Sequence, residues 1–390
     1  MPETIERGAV ASGTGISTSG LRVPVGIMGT GAHVPGRVVT NEELVGTLDT
    51  TDEWIRTRTG IRERRWLEAG RTTSDMCVDA ARQALADSGI TASDLDAVIV
   101  ATFTFDQPLP STALIVKEAL GADRAFPLDL NQAACAGGAY GMLVASHLLQ
   151  NDHMRHVLVI GAECLSRVTD PADRSTRVFF GDAAGAVVMG RTTPGYGLLA
   201  WDMDASLSHA VEITAGGTSL PTTPDTAADG GQYLRMDGRT VWVEATKRLP
   251  ESIRTTLERA GLQPQDIQHY VLHQANLNIV HEVMDQLGVE RSRAGITVDR
   301  YGNTGAATVF TVLHQARLRG DRGRGSDAGL GHRRGVRLGH AVPARGVSRC
   351  TPLWPSGRCR TPRWRGCAPG PGPSRSVRRA GPSCPSAPQH

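Results

Sequence analysis

The sequence predicts an α/β fold made of two halves that echo each other. Three observations predict it. Short apolar runs of strand length alternate with stretches of helical spacing. In each half an apolar run ends on a reactive polar residue, Cys135 in the first and His273 in the second. A helical stretch follows each, and open α/β sheets place their chemistry at that end of their strands.

The elements follow in order. Val23-Pro-Val-Gly-Ile-Met28 reads as a short strand, and Asn41-Glu-Glu-Leu and Thr51-Asp-Glu-Trp54-Ile read as capped helix starts. Ser74 to Ser88 has helical spacing through Met76, Ala80, Ala81, Ala84 and Leu85. Leu95 to Ala101 is a buried strand, Ser111 to Leu120 a helix, and Ala125 to Leu130 a strand that runs into the Cys135 segment. Ala139 to Leu149 is a helix rich in small residues, His156 to Gly161 a buried strand, and Phe179 to Met189 a turn leading into a strand. In the second half, Leu234 to Ala260 is mainly helical with a break near Pro250. Ile267 to Leu272 is a strand, Asn276 to Leu287 a helix, Ala294 to Val298 a strand and Gly305 to Leu318 a helix.

The expected organisation is 1–21 as a flexible extension, 22–194 and 195–320 as the two halves, and 321–390 as a tail. Residues 1–21 are Gly/Ser/Thr-rich and lack the apolar stretch of a secretory signal. There is no run of 18 apolar residues, so no membrane span is expected. No Cys-x-x-Cys pair occurs among the seven cysteines, so zinc and redox motifs are unsupported and no metal is expected. A cytoplasmic location with free thiols follows from these features. Charge is uneven. From Ala328 onward there are 12 Arg and no Lys or acid, which leaves the rest of the chain 12 below the overall +3, at −9.

Three segments hold the candidate chemistry: Asn131-Gln-Ala-Ala-Cys135-Ala-Gly-Gly-Ala-Tyr-Gly141, Val271-Leu-His273-Gln-Ala-Asn276 and Tyr301-Gly-Asn303-Thr-Gly-Ala-Ala307. Cys135 lies between a strand and a helix, where small residues permit a sharp turn and the helix dipole favours thiolate. A lone Cys is more often a packing residue, and Cys77 and Cys164 are read that way. His273 and Asn303 each sit just before a helix, and either alone is most simply a satisfied turn residue. As a set they suit acyl chemistry. A thiol captures an acyl group, while a neutral imidazole and an amide donate to a thioester carbonyl as charge builds on its oxygen.

These segments resemble the β-ketoacyl-acyl-carrier-protein synthase III family, of thiolase-like fold. Thr51 to Arg64, Asp170-Pro-Ala-Asp-Arg174-Ser-Thr and Phe180-Gly-Asp-Ala-Ala-Gly-Ala extend the likeness over about residues 22–320. The resemblance implies two pseudo-symmetric halves in an αβαβα layering and a homodimer. It also implies decarboxylative Claisen condensation of an acyl-CoA starter with malonyl-acyl carrier protein, with Cys135, His273 and Asn303 catalytic. Acyl-CoA enters as substrate, and no cofactor is implied. Trp54 and Arg174 match the pair flanking the CoA adenine, and Arg58 the CoA phosphate region. Asn276 matches a water-ordering Asn, and Trp242 an aromatic near the substrate tunnel mouth. By residue type alone Trp54 suits a core, and Arg58 and Arg174 suit surface ion pairs. Thr102 to Pro110 corresponds to a wall of the acyl pocket.

The chain departs from the family twice. Asn276 to Gly288 contains no Lys or Arg, where relatives dock an acidic carrier protein; Lys247 and Arg248 are the substitutes in view. The resemblance also stops near Gly320-Asp321. From Ala328 onward Ile, Phe, Met, Tyr, Lys, Asn, Asp and Glu are all missing, the pattern of a GC-rich gene read out of frame. One allowed codon choice for Gly335 to Arg345, shifted by a base, encodes Ala-Phe-Gly-Trp-Gly-Thr-Leu-Cys-Leu-Arg, which contains the Gly-rich loop motif expected there. The alternative for the tail is a true basic segment that binds nucleic acid or an acidic partner, and a nucleic acid partner is not expected. Two rival functions stand beside condensation. One is acyl transfer to an oxygen or nitrogen nucleophile; the other is an inactive binding protein that lacks the C-terminal strands and oxyanion loop.

Overall fold

The computed structural model describes residues 20–131, 134–193 and 196–322. Strands β1 (Val25–His33) and β2 (Arg37–Thr40) lead to helices α1 (Asn41–Val45) and α2 (Asp52–Thr59). Then come β3 (Glu63–Trp66), α3 (Thr73–Ser88), β4 (Ala97–Ala101), α4 (Thr112–Leu120), β5 (Phe126–Leu130) and α5 (Gly137–Leu148). β6 (His156–Cys164), α6 (Arg174–Arg177), β7 (Asp182–Arg191), β8 (Val211–Glu212), α7 (Pro224–Ala228) and β9 (Arg235–Met236) follow. The remaining helices are α8 (Gly238–Arg259), α9 (Leu277–Leu287), α10 (Val298–Tyr301) and α11 (Thr308–Arg322).

One sheet organises the molecule, in the order β1-β7-β6-β4-β5. β4 runs parallel to β5 and β6, while β7 is antiparallel to β6 and to β1. β4 is buried at every residue because both faces of the sheet are covered. Val98 and Val100 face the first cover, Met76, Ala80 and Ala84 of α3 with Val116 of α4. Ala97 and Ile99 face the second, Ala145 of α5 with Val309, Phe310 and Leu313 of α11. A helix from the end of the described chain thus lies on a sheet built by its first half. The turn that feeds α11 is carried with it to the end of β6.

Beyond α5 and α11 the layering continues. Val271 packs toward α11, whereas Tyr270 and Leu272 pack with α8 and α9. This two-residue alternation is what a strand between two helical layers requires. α8 and α9 meet through Ala245, Leu249, Ile253 and Leu257 against Ile279, Val280, Val283 and Met284, spaced as one helical face each.

The elements differ from expectation in four places. The first strand runs on to His33, because it pairs with β7 along its whole length. α8 passes through Pro250 without breaking; the buried proline only leaves one carbonyl of the helix without its N–H. The strands expected at Ile267–Leu272 and Ala294–Val298 meet at a single parallel bridge, Tyr270 with Ala294. Past it the Thr297 and Val298 N–H groups donate to the Gln274 side chain, at 2.9 and 3.0 Å, so no ladder forms. Finally, α11 starts at Thr308 and reaches Arg322, past the expected helix end at Leu318. The expected extension 1–21, apart from Gly20 and Leu21, lies outside the described residues. So does the expected tail from residue 323, with its reading-frame question.

Candidate active site

Cys135 stands on a tight turn, Ala134–Ala136, between β5 and α5. Ala134 before it has φ 43°, a strained value for a residue with a Cβ. The turn aims the Cys at the end of the sheet. The residue is half-buried, with its thiol on the enclosed side. Burial, and then the charge of Glu163, push the thiol up to about 12. This corrects the expectation of a thiolate. Loss of water outweighs the helix dipole, and the resting group is a thiol.

His273 follows the Tyr270–Leu272 segment and is 7% exposed. Burial holds its ring down to about 4, against a smaller pull from the Gly305 backbone. The imidazole is therefore neutral near pH 7. Gly305 lies within its electrostatic reach, yet neither ring nitrogen makes a hydrogen bond among the described residues. Its neighbour Gln274, fully buried, anchors the segment by bonding across to Gly295, Thr297 and Val298.

Asn303 is tied by its backbone to the segment before β7. Its N–H donates to the Phe179 carbonyl at 2.8 Å, and its carbonyl accepts from the Gly181 N–H at 3.0 Å. Its side-chain oxygen accepts the Gly305 N–H at 3.0 Å, which leaves the amide NH₂ as a donor with no hydrogen-bond partner among the described residues. Gly305 has φ +53°, and a Cβ there would lie 2.6 Å from Glu163 Cγ, so only glycine fits. Close approach recurs one residue later: a Cβ on Gly161 would stand 2.3 Å from the Ala306 carbonyl oxygen.

Gly305 is the common neighbour of all three residues. The Cys135 turn packs on the Gly305–Ala307 turn. His273 faces the Gly305 backbone, and Asn303 bonds to it. A thiol, a neutral imidazole and a carboxamide from distant parts of the chain are thereby gathered at the end of β6.

The other predicted residues fall nearer the surface. The Arg174 guanidinium lies 5.4 Å from the centre of the Trp54 ring, and it also donates to the Asp49 carbonyl at 2.7 Å. A planar ring between the two needs about 7 Å, two contact distances of about 3.5 Å, so Arg174 must swing outward to admit one. Arg58 is exposed, and its guanidinium has no acid partner among the described residues. Asn276 caps α9 by accepting the Asn278 N–H at 2.8 Å and donates to the Arg58 carbonyl at 3.1 Å, so its amide links α9 to α2. Trp242 is exposed on α8, and no described contact ties it to Cys135. On the same helix Lys247 is exposed, while Arg248 pairs with Glu244 and Glu251.

Sequence reasoning missed Glu163, which is fully buried one residue from the end of β6. Burial raises its carboxyl to about 8, despite bonds from Thr104 and Thr102. The signal was available: one acid within the unbroken buried run Val157 to Cys164. Thr102 and Thr104, in the segment read as a pocket wall, hold this acid. Among the described residues no cluster of three or more His, Cys, Asp or Glu is arranged to hold a metal ion. No described helix is long and apolar enough to cross a membrane.

Comparison with known proteins bears on the identity of this site. Residues 128–206 match the family 3-oxoacyl-[acyl-carrier-protein (ACP)] synthase III, and residues 257–330 match its C-terminal domain. The β-ketoacyl-[acyl-carrier-protein] synthase III of Symbiobacterium thermophilum is 43% identical over 299 residues, covering 76% of this chain and 90% of that protein. The chain belongs to the β-ketoacyl-acyl-carrier-protein synthase III family. As a member it is an acyltransferase with the thiolase-like fold. The crystal structure of the Thermus thermophilus synthase III superposes with a TM-score of 0.70 at 38% identity, covering 76% of this chain and 91% of that one. The priming β-ketosynthase of the R1128 polyketide pathway superposes with a TM-score of 0.69 at 36% identity, with coverage of 76% and 90%.

Proposed function

We propose that this synthase III joins an acyl group from acyl-CoA, held on Cys135, to a malonyl unit presented by an acyl carrier protein. The product begins a fatty acid or polyketide chain. One observation supports this above the others: the Cys135 turn packs on the Gly305–Ala307 turn, whose Gly305 N–H bonds to Asn303 and whose backbone lies near the buried, neutral His273.

In the first half-reaction the Cys135 sulfur attacks the acyl-CoA carbonyl and loses its proton. The C–S bond to CoA breaks, and the departing CoA sulfur ends protonated. In the second, the bond between the malonyl carboxylate and its methylene breaks and carbon dioxide leaves. Negative charge collects on the thioester oxygen, where a His273 N–H and the Asn303 NH₂ donate to it. The nucleophilic carbon then attacks the acyl-Cys135 carbonyl. A carbon–carbon bond forms, the bond to Cys135 breaks, and the sulfur regains a proton. A ring held neutral to about pH 4 suits hydrogen-bond donation without a competing charge.

Further assignments belong to the same reading. Trp54 and Arg174 sandwich the CoA adenine, Arg58 meets its phosphates, Asn276 orders water near the site, and Trp242 stands at the tunnel mouth. Residues 22–194 and 195–320 act as two halves around one site in a cytoplasmic homodimer. β5, the last strand of its sheet among the described residues, offers an edge for a second copy. The absence of Lys and Arg from Asn276 to Gly288 leaves Lys247 as a candidate contact for an acidic carrier protein. The sequence after residue 320 is read as a shifted frame, and re-sequencing the coding DNA tests that; an unshifted frame sinks it.

The decisive assay incubates the full chain with a panel of acyl-CoAs and reads mass on the Cys135 peptide, then carbon dioxide release from malonyl-carrier protein. Acylation followed by carbon dioxide release is expected, and both are lost in Cys135→Ala. Acylation without release favours transfer to oxygen or nitrogen. No acylation leaves a binding protein and overturns the proposal.

A further inference from the structure

The strongest unexplained feature of the site is Glu163. It is a carboxyl with no exposed surface, and no cation pairs with it among the described residues. Its Oε2 accepts from the Thr104 hydroxyl at 2.6 Å and the Thr102 hydroxyl at 3.3 Å, and Oε1 accepts from the Phe103 N–H at 3.4 Å. Its Cγ lies 2.6 Å from where a Cβ on Gly305 would stand, and the Cys135 thiol lies within reach of its charge. We propose that Glu163 is a positioning residue of this site: its buried carboxyl, held by Thr102 and Thr104, supports the Asn303–Gly305 turn beside the Cys135 loop.

The argument is one of desolvation. A buried acid without a cation is stable chiefly as the neutral form. Neutral, it fills the space under Gly305 and leaves sulfur ionisation opposed by burial alone. Ionised, it places a negative charge where a thiolate forms and where a malonyl carboxylate departs. Of the groups that face it, Cys135 comes from the turn before α5 and Cys77 from α3; Thr102, Phe103 and Thr104 follow β4. His273 shares the Gly305 neighbour. Cys164, next along β6, answers instead to Asp182 and Arg167. None of the groups that face Glu163 brings a fixed positive charge to offset its ionisation.

The inference rests on the proposed function for its meaning, but its test does not need acyl-CoA. Iodoacetamide labelling of Cys135 in the full chain, read as mass on its peptide, is followed from about pH 6 to pH 10. A simple thiol this basic gains rate about tenfold per pH unit across that range. Here the rise flattens near pH 8, as Glu163 ionises. In Glu163→Gln the flattening vanishes, and the gain from pH 7 to pH 9 grows by up to about tenfold over the parent's gain. Thr104→Val, which removes the 2.6 Å bond favouring the carboxylate, moves the break to higher pH. Either variant suffices if the other fails to fold. A parent profile without a break, a break that survives Glu163→Gln, or one unmoved by Thr104→Val overturns the inference. A break with no acyl-CoA loading sinks the functional proposal alone.

Discussion

The Gly305 N–H donates to the Asn303 side-chain oxygen at 3.0 Å. That bond decides which end of the amide faces away from the turn, and leaves the NH₂ as the donor. It also joins two positions whose constraints differ: Asn303 supplies a functional group, and Gly305 supplies a left-handed turn with no room for a Cβ.

Asn303→Asp keeps the acceptor for the Gly305 N–H and replaces the donor with an anion. Carbon dioxide release is expected to fall about 10²- to 10³-fold, the cost of one lost oxyanion donor. Acylation of Cys135 should persist. Parallel assays of the mass shift and of carbon dioxide decide it; release within a few-fold of the parent would remove Asn303 from the chemistry.

Gly305→Ala places a Cβ 2.6 Å from Glu163 Cγ at φ +53°. A loss of stability of about 2 kcal/mol or more is expected, from left-handed strain plus displacement of a buried side chain. Urea unfolding at neutral pH measures it. A midpoint equal to the parent's would mean that the turn relaxes freely.

His273 links stability to acid. Its folded-state value is depressed from 6.5 to about 4, so the unfolded chain binds the extra proton between those limits. The ring's contribution is whole above pH 6.5 and is lost as pH falls to about 4. Relative to His273→Gln, the parent should lose about 3 kcal/mol over that window, as an order of magnitude. Unfolding titrations of both proteins at several pH values provide the comparison, and parallel curves would refute it.

Arg174→Ala removes the guanidinium stacked 5.4 Å from Trp54. If the pair holds a purine, KM for acyl-CoA should rise about three- to thirty-fold with little change in kcat, because the contact is remote from the reacting carbon. Loading kinetics with acyl-CoA and with an acyl-pantetheine lacking the adenine test the point. An equal effect on both donors argues against an adenine site.

Much of the fold was legible because it is written in local pattern. The buried runs at Leu95–Ala101 and His156–Gly161 and the helical spacing of Ser74–Ser88 need no distant partner to be read. Ile267–Leu272 was harder. Its alternation is real, yet whether it pairs depends on neighbours, and the Gln274 side chain takes N–H groups that a ladder would have used. Trp54 and Arg174 carried no local sign that they would meet, since 120 residues of chain separate them and only the buried cluster that joins Ile55 and Val178 closes the gap.

By itself the sequence determined the α/β alternation, the three reactive segments and the family likeness, because each rests on residue types at short spacing. Only the tertiary structure decided that these segments meet at Gly305, that Cys135 rests as a thiol, and that Glu163 lies beneath them. Those outcomes depend on burial, which no single segment controls: α11 must fold back onto the first-half sheet before water leaves the site. Once it has left, desolvation sets the charge of every ionisable group that remains.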